Sequence, residues 1–140
     1  MEYPFTPAIA RERLQRWRER AERGEELNFA IRMEDDAEFV GVIGADFWRC
    51  RAGECEIGYF VTPAARGRGV ARRAIALLAA YVFATWSPRR IELLIRPGNT
   101  ASRRAAEGAG TRFEGIRSRG IRLRDGTIVD AAVYALLPPS

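Results

Sequence analysis

Val61, Thr62, Pro63, Ala64, Ala65, Arg66, Gly67, Arg68, Gly69, Val70, Ala71 form the stretch of this chain most able to do chemistry. An apolar run ends there, a basic loop with two glycines follows, and a long stretch with helical periodicity begins. The first turn of a helix leaves backbone N–H groups without partners and carries the positive end of the helix dipole, so a phosphate placed there gains several charge-assisted hydrogen bonds. Arg66 and Arg68 add positive charge, and Gly67 and Gly69 remove side chains that would block approach. The lysine and following hydroxyl of a nucleoside triphosphate loop are absent. So are the three spaced glycines of the dinucleotide fingerprint, and the strand ahead of the loop follows an antiparallel hairpin rather than opening a parallel unit. On spacing alone, a tight strand-to-helix connection would look the same.

All 23 basic residues are arginine, with no lysine and no histidine. A histidine base, a histidine metal site and a lysine Schiff base are therefore excluded. Carboxylates, tyrosines, serines, cysteines and bound water remain for proton transfer. The net charge of +5 suits an anionic ligand, either a nucleotide cofactor or nucleic acid. Cys50 and Cys55 flank a short segment that reads as a hairpin connection. With no third or fourth ligand nearby and no secretory signal, neither a metal site nor a structural disulfide is expected.

These groups need a scaffold, and at 140 residues the chain suits one domain, 1–140. No apolar run reaches the roughly 20 residues of a membrane span. The start Met1, Glu2, Tyr3, Pro4 lacks a basic segment followed by an apolar one, so the expected location is cytoplasmic. Thr6 and Pro7 predict a helix start, with Ala10, Leu14, Trp17 and Ala21 at helical spacing over 7–23 and Gly24 as its stop. Leu27–Met33 and Glu38–Trp48 read as an antiparallel hairpin, and Glu54–Val61 as a third strand. The central helix runs from Gly69 to about Thr85, with Ala71, Ala74, Ile75, Leu78 and Val82 on one face. A buried strand follows over Arg90–Arg96, then a short helix from Asn99 or Thr100 to Gly110, and a terminal hairpin of Arg112–Leu123 and Ile128–Leu136.

Arg66, two residues, Gly69, one residue, Ala71 resembles the Gln or Arg, x, x, Gly, x, Gly or Ala signature of the GNAT superfamily of acetyltransferases. The surroundings agree with it: Glu56, Ile57, Gly58, Tyr59 before the loop, Asn99 and Ser102 at the next helix, Phe113, Glu114, Gly115 after it, and Asp125, Gly126 with Asp130 near the end. Over Leu27 to Leu136 the set is similar to the branch that acetylates ribosomal-protein amino termini. The resemblance implies an α/β (α+β) fold, a mixed, mostly antiparallel sheet with splayed central strands and flanking helices. It also implies acetyl-CoA as cofactor and an amine-bearing acceptor, a peptide N-terminus or a small molecule such as a polyamine or aminoglycoside.

In that reading the pantetheine arm runs beside Phe60 and Val61, borrowing backbone hydrogen bonds as an added strand does. The pyrophosphate rests on Arg66, Gly67, Arg68, Gly69, Val70 and Ala71, and Asn99 and Ser102 face the cofactor from the opposite side. Glu56, on the strand lining the wedge, is the candidate to take the amine's proton, although a cross-strand arginine would use the same carboxylate. Ser102 is the candidate donor to the departing thiolate, and a helix cap is the plainer role for it. A backbone N–H near Val61 is expected to serve the oxyanion. Tyr59 and Tyr134 are alternatives, or core aromatics with their hydroxyls at the rim.

The chain departs from the family pattern in two places. The sequence does not include the strand and helix that usually precede the first helix, and if this is the natural length the sheet edge they leave predicts a homodimer or an exchanged element. Gly108, Ala109, Gly110, Thr111 replaces a larger apolar residue followed by Gly, Phe, and Gly108 within a helix costs up to about 1 kcal/mol against alanine. A reading from a different class takes the run Arg112, Arg117, Arg119, Arg122 and Arg124, several of them on one solvated face of the hairpin, as a nucleic-acid-binding module, without the base-stacking aromatics such a module uses. No nucleic-acid or membrane partner is expected. The acidic residues look scattered, so the acceptor is not identified by charge.

Overall fold

A computed structural model of the chain describes residues 7–47, 53–123 and 125–139. The elements follow the order α1 (Pro7–Glu22), β1 (Glu26–Arg32), β2 (Phe39–Asp46), β3 (Glu54–Val61), a 3-10 turn at Pro63–Ala65, α2 (Val70–Trp86), β4 (Arg90–Ile95), α3 (Thr100–Gly108), β5 (Arg112–Arg122) and β6 (Ile128–Leu136). The six strands make one sheet in the order β1-β2-β3-β4-β6-β5. All its pairings are antiparallel except that of β3 with β4. This is the expected mixed α/β fold. Trp48, Cys50, Thr6 and Arg124 lie outside the described residues, and with them the Cys50 pairing and the Thr6 cap.

The core lies between α2 and one sheet face. Ala74, Ile75, Leu78, Ala79 and Val82 recur at helical spacing and are buried against Ile43, Ala45, Cys55, Ile57, Ile91 and Leu93. Glycine sets where α2 begins. Gly69 takes a left-handed φ of 74° as N-cap, and Ser87 ends the helix in the same region at φ 50° ahead of Pro88. α3 is capped by the Asn99 side chain, which accepts from the Ser102 N–H at 3.1 Å. Buried Thr111 closes its other end by donating to the Ala106 carbonyl at 2.7 Å.

Two expectations are refined. The helix expected over 7–23 is present as α1, but its described apolar positions are little covered: Leu14 is 57% exposed and Ala21 is exposed, and only Trp17 and Arg20 are half-buried among the α1 side chains described. Arg20 anchors α1 by donating to Glu26 on β1 at 2.7 Å. The described part of the arginine run divides between the two faces, because β5 carries irregularities between Phe113 and Gly115 and between Arg117 and Ile121. An extra residue reverses which way the following side chains point. Arg112 and Arg117 therefore share the face of Ala135 and Ala131, and Arg122, opposite Ile128, lies on the other.

The fork between β3 and β4 positions the site. The two strands pair only over Glu54–Glu56 and Arg90–Glu92, and beyond that point the register ends. From Ile57 to Val61 the β3 edge facing β4 has no strand partner, although both strands continue.

Candidate active site

Into that fork opens a cavity of about 550 Å³, walled by the end of β3, the loop, the first turn of α2 and one side of α3. Phe60, Val61, Arg66, Gly67, Gly69, Val70, Ala71, Asn99 and Ser102 all line it. Of the residues nominated from sequence for the cofactor, Arg68 alone is outside the lining, and it is exposed. Tyr59, Arg72 and Arg104 also line the wall and were not nominated for the cofactor. Arg72 follows directly on the loop motif within the first turn of α2, so helical geometry was the signal that could have found it.

The start of α2 has the chemistry to receive an anion. Its N-cap is a glycine and makes no side-chain capping hydrogen bond, and its first turn holds no acidic residue. The Arg73 N–H is the first to bond back along the helix, to the Gly69 carbonyl at 3.1 Å. The amides of Val70, Ala71 and Arg72 thus face the cavity mouth without a protein cap. Backbone conformation gives the glycines a requirement of their own, beside any approach of a ligand. A Cβ on Gly67 would meet no atom within 4 Å, whereas its φ is 79°. The left-handed turn, rather than clearance within the protein, calls for glycine there. Arg66 lines the cavity but also braces the loop, its Nε donating to the Val61 carbonyl at 3.1 Å and its guanidinium lying 5.9 Å from the Phe60 ring centre.

Tyr59 crosses the fork. Its hydroxyl lies 3.2 Å from the Ser102 carbonyl and is hydrogen-bonded to Ser102 Oγ, joining β3 to α3 beneath the cavity. Burial raises the Tyr59 phenol above its ordinary value, and the Ser102 contact partly offsets this. At neutral pH it is therefore a hydrogen-bond donor rather than a base. Tyr134 has a different place: it is fully buried, accepts from Arg103 Nε at 2.9 Å and donates to Glu107 at 3.1 Å, which fastens α3 to β6. It is a core aromatic, and Phe113 packs on its ring at 5.3 Å.

Glu56 stands at the apex of the fork, on the last paired position of β3, opposite Glu92. Cys55 and Ile57 on either side of it are buried toward α2, so strand alternation points Glu56 to the other face. The fork separates the two candidates: Ser102 borders it from the helix side and Glu56 from the open side. The acidic residues are also less scattered than their sequence positions suggested. Register aligns Glu26, Asp46, Glu56 and Glu92 across four adjacent strands on this open face. Arg20 pairs with Glu26 at 2.7 Å, and Arg90 and Arg117 pair with Glu92 at 2.7 and 3.2 Å. Gly58, next to Glu56 on the same face, has nothing within 4 Å of where a Cβ would sit.

Residues 1–112 match the family model described as an acetyltransferase (GNAT) domain. This chain belongs to that family. It is 32% identical over 136 residues to Probable N-acetyltransferase YjcK of Bacillus subtilis strain 168, covering 96% of this chain and 75% of that protein. Against Uncharacterized N-acetyltransferase p20 of Bacillus licheniformis it is 28% identical over 135 residues, with the same 96% and 75% coverage. Among solved structures, Mycobacterium smegmatis RimJ in complex with CoA-disulfide superposes with a TM-score of 0.82 at 29% identity, over 96% of this chain and 68% of that one. The ribosomal-protein-S5-alanine acetyltransferase of Vibrio fischeri gives a TM-score of 0.83 at 20% identity, over 97% and 74%, a likeness of fold. The chain is thus a GNAT acetyl-CoA-dependent N-acetyltransferase. Its cavity fits such a cofactor on its own terms, with uncapped amides, three arginines and no carboxylate in the wall. Among the described residues no helix is long and apolar enough to cross a membrane.

Proposed function

We propose that this GNAT domain acetylates a protein or peptide N-terminal α-amine, with the cofactor's diphosphate on the α2 start and the acceptor entering from the opposite face of the fork. One observation carries the reading: the uncapped basic helix start and Glu56 lie on opposite sides of the same gap between β3 and β4. Acetyl-CoA, when bound, supplies an acetyl group activated as a thioester. The amides of Val70 and Ala71, with Arg66, hold the diphosphate, and the unpartnered β3 edge from Ile57 to Val61 offers backbone groups to the extended arm. Glu56 takes a proton from the acceptor, directly or through water, because an ammonium has no lone pair with which to attack. Ser102, oriented by Tyr59, donates a hydrogen bond toward the departing sulfur.

The resemblance of Leu27 to Leu136 to the ribosomal-protein acetyltransferase branch supports an N-terminal α-amine as the acceptor. A polyamine is the second reading. Mass spectrometry of N-terminally free peptides, N-blocked lysine peptides and polyamines after incubation with acetyl-CoA separates them. Acetylation confined to free N-termini is the expected result, and acetylation of polyamines alone overturns it.

The same proposal includes assembly as a homodimer through β1. Among the described residues β1 pairs on one side only, with β2. An antiparallel pairing centred on Phe29 would set Glu26 against Arg32 and Leu27 against Ile31 of a second copy, matching charge with charge and apolar with apolar. Phe29 is 42% exposed and meets Tyr81 edge-on at 6.1 Å, which extends the apolar surface beside the strand. Light scattering on a size-exclusion column should give twice the chain mass, and a clean monomer removes this part.

A further inference from the structure

Arg72 occupies a position that a side chain at residue 108 would deny it. An ideal Cβ at Gly108, in the last turn of α3, would sit 2.6 Å from Arg72 Cδ and 3.3 Å from its Cγ. Real Cβ contacts do not come that close, so the arginine stem passes over α3 only because residue 108 is glycine. The other end of the side chain reaches back to the loop, with Nη2 3.7 Å from where a Cβ on Gly69 would be. Arg72 thus spans the cavity flank from the end of α3 to the start of α2. Gly108, which is a departure from the family pattern and costs helix stability, has a use at this place.

Charge identifies the ligand group. Arg66, Arg72 and Arg104 line the cavity with no carboxylate beside them in its wall. Among the described residues neither Arg72 nor Arg104 makes an ion pair or a hydrogen bond, whereas Arg66 is braced on the Val61 carbonyl. A diphosphate bridge carries about two negative charges, and the helix start with Arg66 already meets it. Two further unpaired arginines call for a second anionic group, and a phosphomonoester adds close to two more charges near neutral pH. We infer that Arg72, admitted by Gly108, binds the 3′-phosphate of the coenzyme A moiety and makes the site prefer the 3′-phosphorylated cofactor over its dephospho form. This rests on the cofactor placement proposed above and deepens it.

Calorimetric titration of the purified chain with CoA and with dephospho-CoA tests the inference without turnover. The wild type should bind CoA about tenfold more tightly than dephospho-CoA, as expected for one charge-assisted contact at a solvent-accessible site. Arg72→Ala should weaken CoA by about the same factor and leave dephospho-CoA within about twofold. Gly108→Ala should behave likewise while raising thermal stability, because alanine is the better helix residue and the displaced arginine is exposed. Equal weakening of both ligands by Arg72→Ala would assign Arg72 to the diphosphate and overturn the inference. So would a wild type that binds the two ligands equally. A wild type that binds neither ligand would instead sink the cofactor placement itself, so the two failures are distinct.

Discussion

Removing the hydroxyl that joins β3 to α3 across the fork gives the sharpest energetic test of the site. Tyr59 has one hydrogen to donate and two acceptors in Ser102, the carbonyl at 3.2 Å and Oγ. If the hydrogen goes to the carbonyl, Ser102 uses its own hydrogen on Tyr59. If it goes to Oγ, the serine hydrogen remains for the cavity. A net neutral hydrogen bond contributes about 0.5 to 1.5 kcal/mol, so Tyr59→Phe should destabilise the fold by about 1 to 2 kcal/mol. For a chain of this length that is roughly 3 to 8 °C in Tm. Ser102→Ala removes only the Oγ contact and should cost about half as much. Denaturant unfolding of both single variants and the double variant should show a coupling of about 0.5 to 1.5 kcal/mol. Thiol release should fall by about tenfold in kcat for Tyr59→Phe and further for Ser102→Ala, with affinity for CoA nearly unchanged. Single effects that add within about 0.3 kcal/mol would refute the strap, and full turnover in Ser102→Ala would refute its part in catalysis.

Gly67→Val should destabilise by about 1 to 2 kcal/mol and Gly67→Asn by clearly less, because φ 79° rather than crowding demands the glycine; equal losses in thermal unfolding would contradict this. Arg66→Glu should abolish CoA binding in calorimetry with the circular dichroism spectrum retained, and unchanged affinity would show that the loop is misassigned. Hydrogen bonds from Arg90 hold the Glu114 carboxyl below its usual range, so its contribution is present above roughly pH 4 and lost as pH falls through its lower folded value. The group is exposed, so the effect is small; Glu114→Gln should flatten part of the acid limb of the stability curve, and an unchanged limb would remove Glu114 from it.

Local signals carried most of the architecture. The apolar spacing of Ala74, Ile75, Leu78 and Val82, the breaks at Gly69 and Pro88 and the strand alternation gave element order and type, because each is a short-range consequence of backbone geometry. Long-range register was not legible. The alignment of Glu26, Asp46, Glu56 and Glu92 depends on how four strands pair, and nothing within any one strand states it. The β5 irregularities that turn Arg117 toward Glu92 were hidden for the same reason. The exposure of α1 was not legible for another reason, since periodicity shows that a face could be buried, not what covers it. Helical geometry could have named Arg72 as a wall residue, but the path of its stem over Gly108, 36 residues away in sequence, was not legible.

Crystals grown with coenzyme A give the most direct check on the account. Diphosphate density within hydrogen-bonding distance of the Val70 and Ala71 amides, with the arm along Ile57 to Val61 and its sulfur between Ser102 and the Glu56 side of the fork, is the predicted result. A diphosphate seated away from the start of α2, or a fork left empty at saturating ligand, would contradict it.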